Sequence, residues 1–521
     1  MTTAIAGHTA EGSQPYLSGL PLALLTLGLS LATFIEVLDA TVTNVAIPAM
    51  SGALGMPNRQ GTWIISSYSV ASAIAVPLTG WLSRRIGEKR LFVSSLVLFT
   101  LFSLLCGLTR NFYVLVACRA AQGLFSGPMV PLSQTMLMRT FPPAKRVIAL
   151  AIWGMTVMVA PVVGPILGGW LVDHYSWPWI FLINLPIGIF SFAVCVALIG
   201  SETKVVRGEP VDLTGLFLLV AGVAALQVML DLGHDLGWFG STTIVGLLII
   251  AVLSITALLI WEPAEEHPIV DLSVFRDSNF SVSVLIICVA VAAYSIIAVL
   301  VPLWLQTVMD YSAMMAGLTN APIAATALVC SVLIAIFGQR FDPRVLVSFG
   351  FLTFAFALWW SSHFALNMTL LQVLTPGLVK GIGLPCFFIP LSAAILSRVP
   401  LDKLAAASGL SNFLRTLFAA FGTAMSVSFW DNRAAHHYNT LAASVRPGSL
   451  GTDAFTRSME QMGMVGQRQL GLLDNLVQQQ AYMLATDDAF YFTSWTFLLL
   501  AALVWLTRPR QGGAATDGFG H

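Results

Sequence analysis

Two carboxylates lie near the middle of the first long apolar stretch of the sequence, residues 20–48. Glu36 and Asp39 are three residues apart, so they share one face if this stretch is a helix. A charged side chain at the centre of a bilayer costs about 2.5–3.5 kcal/mol, so a neighbouring pair is rarely retained there without a use. Side chains that gain and lose protons inside a membrane are what proton-coupled transport requires, and the pair indicates that chemistry if the stretch spans a membrane.

The composition is that of an all-α integral membrane protein. The chain has 521 residues, of which 57% are hydrophobic and only 10% charged, and its mean hydropathy is +0.83. Soluble domains carry about 25% charged residues, so a soluble protein is excluded. The formal net charge is zero, which argues against a nucleic-acid partner.

The cysteines and histidines do not indicate a metal centre. All six cysteines lie in apolar runs without short paired spacing, which is typical of small buried side chains. His436 and His437 are adjacent but have no acidic or cysteine residue at ligand spacing. No nucleophile–base arrangement stands out, so the sequence predicts no enzyme activity, no metal and no cofactor. The cysteines are Cys106, Cys118, Cys195, Cys288, Cys330 and Cys386.

Fourteen apolar segments are long enough to cross a bilayer, for which about 20 residues are needed. Basic loops alternate with nearly uncharged ones, beginning with the loop after the second segment, which carries Arg84, Arg85 and Arg90. By the positive-inside rule the basic loops are cytoplasmic, so both termini are cytoplasmic and the number of spans is even. This favours fourteen transmembrane helices, with twelve or thirteen if a weak segment is re-entrant. The first 19 residues show no cleavable signal peptide, so the first span is expected to act as an uncleaved one.

Short segments recur at an almost constant offset along the chain. Gly80 matches Gly338, residues 130–133 match 389–392, and Arg139 matches Arg398. The repeat predicts two pseudo-symmetric six-helix bundles with an inserted helix pair between them. The predicted domains are an N-terminal cytoplasmic tail at 1–19, an N-terminal six-helix bundle at 20–199, the inserted spans seven and eight with their linkers at 200–271, a C-terminal six-helix bundle at 272–507, and a cytoplasmic tail at 508–521.

One predicted outer loop, residues 430–488, is much longer than the others. It is polar and rich in glutamine, and the part from Met462 to Met483 has the apolar spacing of a short amphipathic helix. A solvated loop is the simpler interpretation, but a loop of this length is more often functional or a partner site.

Several segments together resemble the major facilitator superfamily, in particular its fourteen-span drug:proton antiporters of the EmrB type. The resemblance covers residues 20–507. The segments are LDATVTNVAIP at 38–48, RAAQG at 119–123, PPAKR at 142–146, GPILGG at 164–169, WPWIFLINLPIG at 177–188 and SNFLRTL at 411–417.

The glycine-rich segment of span five is expected to act in gating. Glycine and proline at close spacing remove side-chain bulk and backbone donors, so a neighbouring helix can approach and pivot. Ordinary small-residue packing would explain the glycine content equally well. The residues of this antiporter motif are Gly154, Gly164, Pro165, Gly168 and Gly169.

The loop after span two carries a second motif, and the resemblance implies that it acts as a conformational latch. The acidic residue that is usual four positions after Gly80 is Arg84 in this chain, which puts a carboxylate latch in doubt. Topology setting by its basic residues is the simpler interpretation. The motif residues are Gly80, Arg84, Arg85, Gly87 and Arg90.

Depth along the helices pairs Asp39 with an arginine. Asp39 lies about nine residues from the outer end of span one, and Arg119 about seven residues into span four. At 1.5 Å per residue the two depths agree within about 3–5 Å. The resemblance implies that both spans line a central cavity, so Asp39 and Arg119 are expected to interact directly or through Gln122 or water. They are predicted to serve proton coupling together with Glu36; a purely structural pair is the alternative.

Lys380 is an unexpected charge in the middle of span twelve. Its depth matches that of Glu36, so a bridge between the two is possible; alternatively Lys380 snorkels or binds an anionic substrate. Arg415 in span thirteen is expected to be structural. The other predicted cavity residues are Asn44, Gln122, Phe34 and Tyr294.

The resemblance implies a proton-coupled antiporter that exports hydrophobic or amphipathic drugs by alternating access, driven by the proton gradient. It also implies a multi-pass protein of the bacterial inner membrane that works with a periplasmic adaptor, docked through 430–488, and an outer-membrane channel. Two alternatives stay open. One is a proton-linked exporter of a dedicated metabolite, siderophore or fatty acid, and the other is a non-transporting membrane receptor or scaffold.

Overall fold

The computed structural model describes most of the chain, and the described part is almost entirely helical. No strand occurs within it, which confirms the predicted all-α class. The described residues are 18–56, 61, 63–142, 145–200, 212–366, 368–400, 403–445, 450–461 and 466–507.

The helices are numbered here in chain order. The first group is α1 Gly19–Ala53, α2 Trp63–Ile86, α3 Glu88–Leu108, α4 Phe112–Ser126, α5 Met129–Thr140, α6 Arg146–His174, α7 Trp179–Leu182 and α8 Asn184–Leu198. The inserted pair is α9 Leu213–Leu232 and α10 Thr242–Trp261. The last group is α11 Ser278–Thr307, α12 Ala313–Leu318, α13 Ala321–Phe337, α14 Pro343–Ser361, α15 Leu370–Leu396, α16 Leu404–Ser444, α17 Leu450–Gln461 and α18 Gln467–Leu503.

Thirteen helices of the described part are long and apolar enough to cross a membrane. The predicted span four is missing from that count because it is broken into α4 and α5, of 15 and 12 residues. The break lies at Gly127 and Pro128. A side chain on Gly127 would lie 2.6 Å from Ala75 of α2, and proline cannot donate the next helical hydrogen bond. The two pieces in succession are long enough for one crossing, which gives the fourteen that the sequence predicts.

Ion pairs and hydrogen bonds gather the basic residues at one end of the helices, called here the basic end. Glu88 pairs with Arg139 at 2.9 Å, and Arg84 donates to the carbonyl of Pro268 at 3.1 Å. Arg84 therefore does not supply the acidic group that the loop motif lacks at this position, because it bonds to a backbone carbonyl. A carboxylate four residues later, Glu88, pairs with a cation instead.

A second contact at the basic end ties the segment after the inserted pair to α16. Lys403 lies 3.0 Å from Asp271 and donates to Ser273 at 2.6 Å. Burial opposes ionisation of Asp271, but hydrogen bonds from Ser273 and Lys403 outweigh it and hold the pKa of this carboxyl below its ordinary value. The segment therefore joins the inserted pair to the last group of helices.

The two groups of helices meet tightly in their basic halves. A side chain on Gly80 would lie 2.6 Å from the backbone of Ala406, so only glycine permits α2 and α16 to approach this closely. Gln134 of α5 accepts hydrogen bonds from Ser408 at 2.7 Å and from Asn412 at 3.1 Å. The basic end is thus closed between the two groups, and Gly80 of the loop motif contributes a close contact to that closure.

The described residues of the segment at 430–488 are almost all helical rather than an irregular loop, which corrects the sequence prediction. Helices α16 and α18 have 41 and 37 residues, far more than the ~20 that a crossing needs. Both extend past the end opposite the basic end and pack on each other there. We call the part of α16 after Trp430 and the part of α18 before Asp488 the helical hairpin. Of the predicted amphipathic helix, residues 462–465 lie outside the described part, and the remainder belongs to α18.

Polar contacts explain why a glutamine-rich, charged sequence forms this hairpin. Asp488 pairs with Arg433 at 2.6 Å and with His437 at 2.7 Å. Trp430 donates to Thr486 at 2.9 Å, and Tyr438 donates to the carboxylate of Asp474. These contacts satisfy polar groups between the two helices, where apolar packing alone would be too sparse.

Candidate functional site

Asp39 lies at the centre of a fully buried hydrogen-bond network. Its side chain has no exposed surface, and that of Arg119 has 1%. Arg119 Nη1 donates to Oδ2 of Asp39 at 2.5 Å. The other carboxylate oxygen accepts from Asn184 Nδ2 at 2.8 Å and from Gln122 Nε2 at 3.2 Å. The structure therefore brings together Asp39, Arg119 and Gln122, as their depth in the sequence suggested.

The guanidinium of Arg119 is held on all sides. Its Nε donates to the carbonyl of Ile64 at 3.3 Å, and its Nη1 also donates to Gln122 Oε1 at 2.9 Å. The ring of Tyr68 lies 4.2 Å from the guanidinium carbon and that of Phe181 lies 5.5 Å from it. Aromatic faces stabilise a desolvated cation, so this environment keeps Arg119 charged and fixed beside Asp39.

Asn184 is a partner of Asp39 that the sequence reasoning missed. It is the first residue of α8, it is fully buried, and its amide also donates to Ser103 Oγ at 3.0 Å. Ser103 in turn donates to the carbonyl of Phe181 at 2.9 Å. A signal was present, because Asn184 is the single amide in the apolar run 177–188, at a depth that could have been compared with that of Asp39.

The network is costly to disturb and therefore suited to a switch. Removing one partner of a buried ion pair costs about 3–5 kcal/mol, because the other charge stays buried without compensation. A proton on Asp39 would neutralise the carboxylate and loosen its hold on Arg119 in the same way. The charge of Asp39 thus helps to hold α1 against α4, through Arg119, and against α8, through Asn184.

The antiporter motif lies on the helix that packs beside Asp39. A side chain on Gly164 of α6 would collide with Thr41, and one on Gly168 would lie 2.7 Å from the Val42 side chain. Thr41 and Val42 are within one turn of Asp39 on α1. Pro165 lies inside α6 between these two glycines. Because the glycines pack closely on α1, a shift of α6 would move the part of α1 that carries the buried carboxylate.

Gly154 and Gly169 belong to the same helix but make different contacts. A side chain on Gly154 would lie 3.2 Å from Ile389 of α15, so this glycine sits where the two groups of helices meet. A side chain on Gly169 would lie 3.9 Å from Val45, which is an ordinary distance. Only part of the predicted motif therefore requires glycine for close packing.

This difference gives a matched test of the motif. Gly168→Ala is expected to lower the melting temperature and to reduce transport at least tenfold, because its methyl group would push Val42 and α1 apart. Gly169→Ala on the same helix is expected to behave like the wild type within about twofold. Thermal unfolding and transport assays of the purified variants check both. Equal behaviour of the two variants would contradict the close-packing account.

Glu36 and Lys380, which the sequence analysis considered as a possible bridge, are not in contact in this structure. Glu36 is half-buried and has no hydrogen-bond or ion-pair partner among the described residues. Lys380 is 8% exposed, and its amino group lies over the ring of Phe490 at 4.9 Å. Depth was a poor guide here, because it fixes height in the membrane but not the direction in which a side chain leaves its helix.

Arg415, predicted to be structural, lies where the two groups of helices meet. Its guanidinium carbon lies 5.8 Å from the ring of Trp153 on α6 and 5.5 Å from that of Phe388 on α15, and those two rings stack on each other. Its Nη2 donates to Asn412 at 2.8 Å. Arg415 therefore contributes to closure of the basic half as well as supporting its own helix.

The remaining predicted cavity residues have different environments. Gln122 is fully buried in the Asp39 network. Phe34 is half-buried against the core, Tyr294 lies 6.2 Å from the ring of Phe354, and Asn44 is exposed. The sequence pattern alone could not separate these environments.

The loop-motif residues not yet described lie at the surface or at a helix start. Arg85 is exposed over the ring of Trp81, and Arg90 is also exposed. Gly87 precedes α3 with a φ of 94°, a conformation that favours glycine. The described residues contain no group of three or more His, Cys, Asp or Glu side chains that could hold a metal ion.

Comparisons with known proteins agree with this arrangement. The family model described as Major Facilitator Superfamily matches residues 29–423. The multidrug export protein EmrB of Escherichia coli K12 is 42% identical over 98% of this chain and 99% of its own length. The fatty acid resistance protein FarB of Neisseria gonorrhoeae is 43% identical over 95% of this chain and 98% of its own length.

A solved structure shows the same fold. The crystal structure of the human organic anion transporter MFSD10 (TETRAN) matches with a TM-score of 0.58 at 15% identity, over 94% of this chain and all of that one. The helices thus follow a fold known from a solved transporter structure. The sequence identity to EmrB extends over nearly the full length of the chain. The chain belongs to the Major Facilitator Superfamily and, within it, to the EmrB-type transporters.

Proposed function

We propose that the protein is a proton-coupled antiporter that exports hydrophobic or amphipathic drugs. The observation that carries the proposal is the fully buried Asp39, a titratable carboxylate placed between the helices that must move. The EmrB relative, a multidrug export protein, supports drugs as the substrate class. The proton gradient is the energy source in this proposal, and no cofactor is needed.

The cycle follows from the two charge states of Asp39. With the basic end closed, as in this structure, Asp39 takes up a proton from the opposite side, loosens from Arg119 and releases drug. With the basic end open, it loses the proton to the cytoplasm, pairs again with Arg119 and a drug binds. Glu36, which has no hydrogen-bond or ion-pair partner in the part of the chain that the structure describes, serves as a second titratable group that tunes proton number or substrate charge. One proton moving inward supplies about 2.3 kcal/mol per 100 mV of membrane potential.

Transport into vesicles tests the proposal. Proteoliposomes with an acidic interior should accumulate a hydrophobic fluorescent dye in exchange for protons, and a protonophore should abolish the accumulation. Accumulation that is equal with and without the gradient would overturn the proposal. A panel of dyes, drugs and fatty acids separates multidrug export from export of one dedicated compound, a distinction that the FarB relative makes worthwhile.

The proposed location is the bacterial inner membrane with both termini in the cytoplasm. The clustering of Arg84, Arg139 and Lys403 at one end supports this orientation through the positive-inside rule. The helical hairpin then projects into the periplasm. A cysteine introduced at the exposed Asn439 should react with an impermeant maleimide added to intact spheroplasts, whereas one at the exposed Arg90 should react only after lysis.

We propose that the helical hairpin docks a periplasmic adaptor, which connects the transporter to an outer-membrane channel. The hairpin is ordered by its own ion pairs, and it presents apolar side chains away from the membrane. Leu470 is 65% exposed and Leu476 is 48% exposed on α18. Leucines exposed to water in this way mark a surface for protein contact.

The double substitution Leu470→Asp and Leu476→Asp is therefore expected to prevent co-purification of the adaptor. The new carboxylates would be buried without partners in the interface, at a cost of several kcal/mol. Uptake by proteoliposomes, which needs no adaptor, should stay within about twofold of the wild type. Asn439→Asp on α16, an exposed position of the same hairpin, is the control and should retain the adaptor. Retention by the leucine variant would place the docking surface elsewhere.

A further inference from the structure

Lys380 is a charged side chain without an anionic partner inside a membrane-spanning helix. Only 8% of its surface is exposed. Among the described residues, no carboxylate or hydrogen-bond acceptor contacts its amino group. Its described contact is the face of Phe490 on α18, at 4.9 Å. A cation in this position is expensive unless something in the working cycle compensates it.

An aromatic cluster surrounds this amino group and contains a second donor without an acceptor. The ring of Phe490 lies 5.8 Å from that of Phe364, which stacks on Trp304 at 6.1 Å. Trp304 is fully buried, and its Nε1 has no hydrogen-bond partner among the described residues. Buried polar groups are nearly always satisfied, so a donor that is not marks a place for a missing acceptor.

These two independent observations both indicate a ligand with hydrogen-bond acceptors. Lys380 offers a charged donor and Trp304 a neutral donor, and the rings of Phe490 and Phe364 connect them into one region between α11, α15 and α18. A carboxylate supplies two acceptor oxygens and the compensating negative charge, and an apolar or aromatic body would pack on the rings. A neutral or cationic ligand would leave the lysine uncompensated.

We propose that Lys380 and the Trp304–Phe364–Phe490 cluster form an anion-binding subsite that takes the carboxylate of an amphiphilic substrate. The subsite defines a substrate class for the proposed exporter. Its effect on transport rests on the proposed function of the protein. The binding step itself does not. An alternative explanation would make Asp487 the internal counter-ion of Lys380. Asp487 lies one turn before Phe490 on α18, and one of its oxygens is buried without a hydrogen-bond partner among the described residues.

Binding of a matched pair of probes tests the subsite. The probes are 1-pyrenebutyrate and the neutral 1-pyrenebutanol, and energy transfer from tryptophan reports their binding to the purified full-length protein. The wild type should prefer the anion at least tenfold. Lys380→Gln should remove that preference, and Lys380→Arg should keep it within about threefold. Lys89→Gln, a lysine that donates to the Ile199 carbonyl at the basic end, is the matched control and should keep it.

Retention of the anion preference by Lys380→Gln would overturn the proposal. A structural role is separated by the melting temperature of the ligand-free protein. An uncompensated lysine predicts that Lys380→Gln melts at or above the wild-type temperature, because a buried charge is removed. If Lys380→Gln and Asp487→Asn both melt lower and lose the preference together, Asp487 is the counter-ion and the subsite is refuted. If anion binding depends on Lys380 but no proton-driven uptake occurs, the proposed function fails while the subsite stands.

Discussion

Asp39→Asn is expected to reduce proton-driven drug uptake at least a hundredfold. Asparagine has the shape of aspartate and still offers an acceptor to Asn184 and Gln122, but it cannot bind and release a proton. The initial rate of dye uptake by proteoliposomes with an acidic interior measures the effect. Energy-independent drug binding should persist, because the Asp39 side chain has no exposed surface that a drug could contact. The loss would therefore fall on coupling and not on recognition.

A surface aspartate provides the control for this substitution. Asp342 starts α14 and accepts a hydrogen bond from the backbone of Arg344 at 2.9 Å. Asparagine caps helices as well as aspartate does, so Asp342→Asn should leave uptake unchanged. Uptake by Asp39→Asn within about threefold of the wild type, at equal protein content, would remove Asp39 from the coupling step.

Arg119→Gln is expected to destabilise the protein by about 3–5 kcal/mol, because it leaves the Asp39 carboxylate buried without its cation. The double variant Asp39→Asn with Arg119→Gln should regain most of that stability, since both charges are gone and the amides can bond to each other. Melting temperatures of the two single variants and the double variant measure this coupling directly.

The double variant also separates the two interpretations of the pair. If Asp39 and Arg119 only hold α1 against α4, transport should return together with stability. If Asp39 carries the proton, the double variant should be stable and inactive. Recovery of proton-driven uptake to above about a third of the wild-type rate would show that the pair is structural.

Helix geometry explains which contacts could be predicted from the sequence. The rise per residue is fixed, so depth in the membrane follows from counting, and the contact of Asp39 with Arg119 was predicted in this way. The direction of a side chain around its helix depends on neighbours that the sequence does not identify. The same counting therefore suggested a bridge between Glu36 and Lys380 that the structure does not contain, and it overlooked Asn184.

Composition was similarly informative for the membrane part and misleading outside it. Apolar runs indicated the spans, and their number is consistent with the structure once the break at Gly127 and Pro128 is recognised. The polar segment at 430–488 looked like a loop because its residues cannot form an apolar core. Its described residues form helices because Arg433, His437 and Asp488 pair across two of them, and such long-range partners leave no periodic signal in the sequence.

Counting the protons released on drug binding shows whether Asp39 carries the transported proton. Purified protein in weakly buffered solution with a pH-sensitive dye is mixed with a neutral drug, and the released protons are counted against bound drug. We expect that the wild type releases protons when drug binds and that Asp39→Asn binds drug while releasing about one proton fewer per bound drug. Equal proton release by the wild type and Asp39→Asn would contradict this expectation.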